Sequence, residues 1–248
     1  MSLAKILQRV LMKGDKSDPY SYAIVFHFAI GLFNLVLMFI TGKQVSINSG
    51  NLPFLLITSS LWALCTVFHF KALQLVDAAE VTILSNIKVI VTIGASIVFL
   101  HEVFNIQKMF GAIIILAATI LATNLRKDIK LNVGVLYSLT MGLFAGLALI
   151  ADSVNVKHID VASYNTLVNF ISGAVILCYY PKALKQWKHF AHTSFLKKML
   201  PVVILSTVQG IAYLMALTTP GVTGQVGAIR NSSVIVTVIL GIVILNER

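Results

Sequence analysis

The chain alternates between long runs of apolar residues and short polar segments. A membrane-spanning helix needs about 20 apolar residues, because each residue advances the helix by about 1.5 Å. On that measure the pattern predicts eight complete spans, at Tyr20–Thr41, Leu52–Leu75, Val81–Leu100, Met109–Asn124, Leu131–Asp152, Ala162–Tyr180, Leu200–Leu217 and Val222–Leu245. Closed β-barrels show alternating segments of about 10 residues, which do not occur here. The predicted fold class is therefore an all-α polytopic membrane protein.

Prolines and glycines refine this pattern. Pro19, Pro53 and Pro201 stand near predicted helix starts, where the missing N–H costs little. Gly142 and Gly146 form a GxxxG pattern inside one predicted span. In a membrane helix this pattern indicates close helix packing far more often than chemistry.

Composition agrees with a membrane location. Hydrophobic residues make up 58% of the chain and charged residues only 11%, whereas a soluble domain has about 45–50% and about 25%. Cys65 and Cys178 both fall in apolar runs, and their positions predict neither a disulfide framework nor a metal site. The net charge of +10 does not indicate nucleic acid as a partner, because the cations cluster between apolar segments without alternating aromatic residues.

The chain contains an internal repeat. Sliding Val81–Glu102 by 145 positions onto Val226–Glu247 gives identical residues at ten of 22 positions, including an Asn, a Thr and a Glu. A second match relates Ser21-Tyr22 and Gly31 to Ser163-Tyr164 and Gly173, at an offset of 142. Internal repeats fix architecture, and these two matches predict two copies of a five-helix unit.

The repeat also predicts the domain organisation. The first copy covers residues 1–125, a basic loop covers 126–130, and the second copy covers 131–248. Residues 1–12 are apolar but too short to span, so we expect them to be the end of a truncated first helix. No apolar run follows Glu247, so the last helix is expected to be missing. Since five is an odd number, the second copy is expected to be inverted in the membrane.

One segment carries a family resemblance. The run VFLHEVFNIQKMFGAIIILAATILA at residues 98–122 places Glu102 before the fifth helix and Gly111 inside it, and VILNER repeats its beginning at the end of the chain. This ending, together with the repeat, resembles the EamA-type transporters of the drug/metabolite transporter superfamily. The resemblance implies a fold of two inverted five-helix repeats and secondary transport of a small organic solute. It does not identify the solute.

Positive charge is distributed unevenly between the two membrane faces. The face that holds the loop before Tyr20, called the basic side below, carries twelve basic residues: Arg9, Lys13, Lys16, Arg126, Lys127, Lys130, Lys182, Lys185, Lys188, Lys197, Lys198 and Arg248. The opposite face carries Lys43, Lys108 and Lys157. The positive-inside rule predicts that the basic side is cytoplasmic. The family resemblance implies the reverse, with both ends of ten helices in the cytoplasm.

Polar residues within the spans are the candidate substrate-binding residues. A charge at the centre of a membrane helix costs about 2.5–3.5 kcal/mol on insertion scales, so such residues usually face a cavity. In the repeat alignment the two copies each offer one cation, one hydroxyl and one carboxamide: Lys88, Ser85 and Asn86 in the first, and Arg230, Ser233 and Asn231 in the second. Inverted repeats build substrate sites near the midplane. The competing interpretation is a structural ion pair, for example with Asp152.

Further polar positions match between the copies. His69 aligns with Tyr213, and His27 aligns with Asn169. A single histidine among apolar residues more often makes an interhelical hydrogen bond than it performs chemistry. Because histidine titrates near neutral pH, proton or ion coupling stays open. Four other residues could line a pore: Trp62, Gln74, Tyr164 and Gln209. Lys71, near a helix end, is expected to extend its amine to the interface.

No catalytic, cofactor or metal motif occurs in the sequence. The favoured function is alternating-access transport; an intramembrane enzyme and a non-transporting scaffold or receptor are the alternatives. The glutamates lie at helix ends while the recognised mid-membrane charge is positive, so we expect an anionic or zwitterionic metabolite such as a carboxylate or amino acid. The expected partners are this solute and the lipid bilayer, in a plasma or bacterial inner membrane, and a homodimer is left open.

Overall fold

The structure is a computed structural model. It describes residues 2–12, 18–47, 49–101, 132–186 and 193–219, together with isolated positions between 106 and 117 and Val226. The predicted span Met109–Asn124 lies largely outside the described residues, as do the loop 126–130 and the predicted span Val222–Leu245.

The described residues form eight α-helices and no strand. They are α1 (Ser2–Met12), α2 (Pro19–Ile40), α3 (Leu52–Leu75), α4 (Ala78–Leu84), α5 (Ile87–Leu100), α6 (Val133–Asn155), α7 (Val161–Tyr179) and α8 (Thr193–Leu217). Short 3-10 helices occupy Ser49–Asn51 and Pro181–Gln186. Six segments are long and apolar enough to cross a membrane: α2, α3, α4 with α5, α6, α7 and α8. The predicted all-α membrane fold class is confirmed for this part of the chain.

Aspartates start two corresponding helices. The Asp18 side chain accepts a hydrogen bond from the backbone N–H of Ser21 at 3.0 Å at the start of α2. The Asp160 side chain accepts from the N–H groups of Ala162 and Ser163, both at 3.1 Å, at the start of α7. Such caps satisfy N–H groups that have no partner within the helix. Asp18 and Asp160 are 142 positions apart, the same offset as Ser21 and Ser163.

The predicted span Val81–Leu100 is interrupted. It consists of α4 and α5, which meet at a turn formed by Ser85 and Asn86. The N–H of Lys88 bonds to the carbonyl of Ser85 at 3.1 Å, one residue closer than in an α-helix. Ser and Asn favour such turns because their short polar side chains compete for nearby backbone groups. The prediction that Ser85 and Lys88 share one face of a continuous helix was therefore wrong.

Pro201 is also placed differently from the prediction. It lies inside α8, which begins at Thr193 rather than near Leu200. Lys197 and Lys198 are therefore part of the first turns of this helix and not of a loop. Hydropathy marks where a helix becomes apolar, but a helix begins where its backbone hydrogen bonds begin. Pro201 removes one of those bonds.

The GxxxG pattern of α6 packs against the interrupted helix. A Cβ atom added at Gly142 would lie 2.9 Å from the carbonyl oxygen of Ser85, and one at Gly146 would lie 2.9 Å from the carbonyl oxygen of Lys88. Only a residue without a side chain allows two backbones to come this close. This agrees with the interpretation of the pattern as packing. It also places α6 directly behind the turn that precedes Lys88.

Helices α2 and α7 run antiparallel. At one end of the pair Tyr20 stacks on Tyr180, with ring centroids 4.7 Å apart. At the other end the hydroxyl of Thr166 donates to the sulfur of Met38 at 3.3 Å. The beginning of α2 therefore meets the end of α7, and the end of α2 meets the beginning of α7.

The same interface is reciprocal in its residues. A Cβ at Gly31 would lie 3.1 Å from the ring of Phe170, and a Cβ at Gly173 would lie 3.3 Å from the ring of Phe28. Gly31 and Gly173 correspond in the repeat, and so do Phe28 and Phe170, at the offset of 142. Each helix thus offers the same pair of residues to the other, as in an interface between two identical subunits.

Two cations close the described bundle near the basic side. The guanidinium of Arg9, in α1, donates to the carbonyl of Leu73 and forms an ion pair with Asp77 at 3.2 Å. Arg9 was expected in a loop, but it is buried. Lys71 is half-buried; its amine donates to the hydroxyl of Tyr20 at 2.7 Å and lies 4.4 Å from the centre of that ring. Aromatic rings therefore surround an amine that was expected to extend to the interface.

Candidate functional site

A cavity of about 200 Å³ lies at the centre of the described bundle. Its wall includes residues from α1, α2, α3, α5, α6, α7 and α8. The wall is mixed: Phe26, Ile30, Val168 and Leu214 are apolar, whereas histidine, amide, hydroxyl and charged side chains supply polar groups. Small-molecule sites in proteins have this character, with a few placed polar groups in a mostly apolar surface.

One end of the cavity contains a buried carboxylate held by aromatic donors. Asp152 of α6 is 1% exposed. Its Oδ1 accepts from the indole N–H of Trp62 at 2.9 Å and from the hydroxyl of Tyr164 at 2.5 Å. Its Oδ2 accepts from the hydroxyl of Tyr213 at 3.2 Å. Four helices, α3, α6, α7 and α8, therefore meet at this carboxylate.

A chain of amides and a histidine lines the wall between α2 and α7. The Nδ1 of His27 lies 3.0 Å from Oδ1 of Asn169, and its Nε2 lies 3.0 Å from the hydroxyl of Thr66. The amide nitrogen of Asn169 donates to the backbone carbonyl of Asn165 at 2.8 Å, so its oxygen faces His27. Asn165 in turn donates to the side-chain oxygen of Asn34 at 3.1 Å. His27 and Asn169 are matched in the repeat, and they contact each other directly.

His69 lies on the cavity wall nearer the basic side. Its Nε2 is 3.1 Å from the side-chain oxygen of Gln8, which belongs to α1. Both residues are buried and both line the cavity. This bond joins α1 to α3, one residue away from the Arg9 ion pair.

Lys88 is a cation on the same cavity. It lies in the first turn of α5 and is 7% exposed. Ten residues separate it from Ala78, which corresponds to about 15 Å along the helix axis. The hydrocarbon core of a bilayer is about 30 Å thick, so Lys88 lies near its middle.

The predicted site residues divide into three groups. Lys88, His69 and Tyr213 all line the cavity. Ser85 and Asn86 do not line it; they are buried at the turn between α4 and α5, where the Ser85 hydroxyl donates to the Thr82 carbonyl at 3.0 Å. The third group lies outside the described residues and consists of Arg230, Asn231 and Ser233. Of the suggested pore-lining residues, Trp62, Tyr164 and Gln209 line the cavity and Gln74 does not.

Sequence reasoning missed Asp152 as a site residue. It treated Asp152 as the end of a span and as an ion-pair partner, because the apolar run stops there. The helix α6 continues to Asn155, and Asp152 lies within it. A usable signal was present: an aspartate that follows a long apolar run directly, three residues before a helix ends, lies inside the membrane when the helix continues past it.

Within the described ranges, no group of three or more histidine, cysteine, aspartate or glutamate side chains is arranged to hold a metal ion. The site residues found there are those of a binding cavity: opposite charges, amides, aromatic hydroxyls and an apolar surface.

Comparison with known proteins gives one result. The model of the EamA-like transporter family matches residues 2–124. A search of curated proteins found no match. The family match begins in α1 and includes α2, α3, α4 and α5, which carry Trp62, His69 and Lys88. It agrees with the six apolar segments of a multi-pass membrane protein. Through this match over about half of its length, the chain belongs to the EamA-like transporter family.

Proposed function

We propose that the protein is a secondary transporter of a small organic metabolite that carries a carboxylate, either an anion or a zwitterion. The observation that carries this proposal is the central cavity, which has a buried lysine on a wall built by helices of both predicted halves. Transport would proceed by alternating access, as the two halves rock around this cavity. The family match supports transport but does not specify the solute.

Reciprocal packing supports two inverted halves. The antiparallel contact of α2 with α7 uses corresponding glycines and phenylalanines in both directions. Other contacts also occur in corresponding pairs: α3 packs on α6 as α8 packs on α1, and α8 packs on α2 as α3 packs on α7. An antiparallel, reciprocal pair of this kind is related by a two-fold axis perpendicular to the helices. Such an axis lies in the membrane plane, as inverted-topology transporters require.

Lys88 supports a carboxylate in the substrate. A lysine near the bilayer centre is costly to keep, and such residues usually mark a substrate or ion pathway. An ammonium group attracts a carboxylate and donates hydrogen bonds to it. Arg230 would supply a second cation from the other half if the predicted inverted symmetry holds.

The alternatives have less support. A non-transporting scaffold would be expected to fill its centre with apolar side chains, whereas this centre is a polar cavity. An intramembrane enzyme would be expected to pair an acid with a base. The side-chain partners of His27 are an amide and a hydroxyl, and the hydrogen-bond donors on Asp152 are an indole and two phenols.

Vesicle transport tests the proposal. Purified full-length protein is reconstituted and offered amino acids, carboxylates and quaternary ammonium compounds, with and without a pH gradient. We expect uptake of a carboxylate-bearing solute. Loss of a hydrogen bond to a charged group costs about 1.5–3 kcal/mol, so Lys88→Gln and Arg230→Gln are each expected to weaken affinity by about 10- to 150-fold.

Lys71→Gln is the matched control, because Lys71 also lies in a membrane helix but not on the cavity. It is expected to keep the affinity of the unmodified protein. Selective uptake of a quaternary ammonium compound would contradict the proposed substrate sign. Unchanged transport by both Lys88→Gln and Arg230→Gln, at equal expression, would show that these charges are structural.

A further inference from the structure

The carboxylate of Asp152 adds a second charge to the cavity that contains Lys88. From this arrangement we infer that Asp152 binds the ammonium group of a zwitterionic substrate while Lys88 binds its carboxylate. The inference rests on the proposed transport function and narrows its substrate class from carboxylates in general to amino-acid-like zwitterions.

The donors around Asp152 orient this carboxylate without neutralising it. Trp62, Tyr164 and Tyr213 hold its two oxygens by hydrogen bonds between 2.5 and 3.2 Å, and all three donors are uncharged groups. The negative charge is therefore fixed in position, and the cavity wall at this end remains attractive to a cation. Hydrogen bonds between an ammonium and a carboxylate are among the strongest in proteins.

The same three side chains provide a second attraction for an ammonium group. Indole and phenol rings carry negative charge on their faces and attract organic cations, particularly where water is excluded. Trp62, Tyr164 and Tyr213 all line the cavity. A carboxylate beside three aromatic side chains is thus chemically suited to an alkylammonium ion. It is poorly suited to a second carboxylate, which Asp152 would repel.

The two charges lie at different heights in the cavity. The backbone of Lys88 contacts α6 at Gly146, and Asp152 follows Gly146 by six residues on the same helix. At 1.5 Å per residue this corresponds to about 9 Å along the axis. A lysine side chain covers part of this distance, which leaves a substrate with an ammonium group at one end and a carboxylate at the other.

Matched sets of probes test this assignment. Alanine, leucine and phenylalanine are each compared with the acid that lacks the ammonium group (propionate, 4-methylpentanoate, 3-phenylpropionate) and with the amine that lacks the carboxylate (ethylamine, 3-methylbutylamine, 2-phenylethylamine). Binding to the purified full-length protein is measured by calorimetry. At least one amino acid is expected to bind ten-fold or more tightly than both of its analogues.

Two variants should act in opposite directions. Asp152→Asn keeps the shape of the side chain and is expected to abolish the preference for the amino acid over the acid, a change of at least ten-fold. Lys88→Gln is expected to abolish the preference for the amino acid over the amine. A purely structural role of either residue would weaken all three probes together and leave these ratios unchanged. Asp160→Asn is the control, because Asn also caps helices and Asp160 does not line the cavity.

A second measurement leaves Asp152 intact, in case Asp152→Asn does not fold. The chain has two tryptophans, Trp62 and Trp187. In the variant Trp187→Phe the remaining indole donates to Asp152, so its fluorescence reports on this carboxylate. The amino acid and the amine are expected to change the emission of Trp62 in a saturable way, and the acid is not.

The outcomes separate this inference from the proposed function. Tighter binding of an acid than of its amino acid, or an unchanged preference in Asp152→Asn, would overturn the role of Asp152 but leave carboxylate transport standing. Failure of all three amino acids to bind would also overturn it. The proposed function itself fails only if vesicles with the unmodified protein take up none of the carboxylate-bearing solutes in the wider transport panel.

Discussion

Substitution of Gly142 by alanine tests whether the close contact behind the α4–α5 turn holds this fold together. The added Cβ would lie 2.5 Å from Cγ2 of Ile87 and 2.9 Å from the carbonyl oxygen of Ser85. The Ile87 methyl can move, but the Ser85 carbonyl is backbone and is held by its bond from Lys88. The substitution therefore forces α6 away from the turn.

The size of the effect follows from two opposing contributions. Alanine stabilises a helix interior by about 0.5–1 kcal/mol relative to glycine. Overpacking a close contact costs about 1–3 kcal/mol, and a contact with backbone belongs near the upper end of that range. We expect Gly142→Ala to be destabilised by about 1–2 kcal/mol. For a chain of this length that lowers the melting temperature by roughly 2–8 °C.

Gly94→Ala is the matched control on the neighbouring helix. A Cβ at Gly94 meets nothing within 4 Å, so only the helix preference of alanine remains. This variant is expected to be as stable as the unmodified protein or more stable by up to about 1 kcal/mol. Thermal unfolding of both variants in the same detergent measures the difference. Equal melting temperatures for Gly142→Ala and Gly94→Ala would refute the reasoning.

Two other features give further predictions. Arg9→Gln is expected to lower the melting temperature more than Asp77→Asn does, because Arg9 also bonds to the Leu73 carbonyl and is more buried than its partner, with side-chain exposures of 7% and 34%; equal losses would show that the carbonyl bond contributes nothing. For orientation, single cysteines replace Lys43 or Lys188 in a chain whose own Cys65 and Cys178 are removed. An impermeant maleimide added from outside is expected to label position 43 and not position 188, and the reverse pattern would show that the basic side faces out.

Hydropathy predicted the helices well where the chain is uniformly apolar. Leu52–Leu75 has the predicted bounds, and α2 and α7 differ from prediction by one residue at each end. The turn at Ser85–Asn86 was not predicted, because two polar residues in an apolar run look the same whether the helix continues or breaks. Its cause is tertiary: α6 approaches through Gly142, which is remote in sequence.

The site could be predicted only in part, for a related reason. Lys88 and His69 stand out because they are polar residues in apolar runs. The same criterion selected Ser85 and Asn86, whose side chains instead belong to the turn. Asp152 was undervalued because its importance comes from Trp62, Tyr164 and Tyr213, which three other helices bring to it. Convergence of this kind depends on packing and is not visible in one segment of sequence.

The contact between His27 and Asn169 has a consequence for the resting state of the proposed transporter. These residues occupy corresponding positions but differ in chemistry, as do His69 and Tyr213. If the two halves were identical, states open to either side would have equal energy and equal population. Each difference between corresponding residues removes that equality, and 1.4 kcal/mol suffices for a ten-fold bias. The side to which the empty carrier opens is then set by the few positions at which the two halves have diverged.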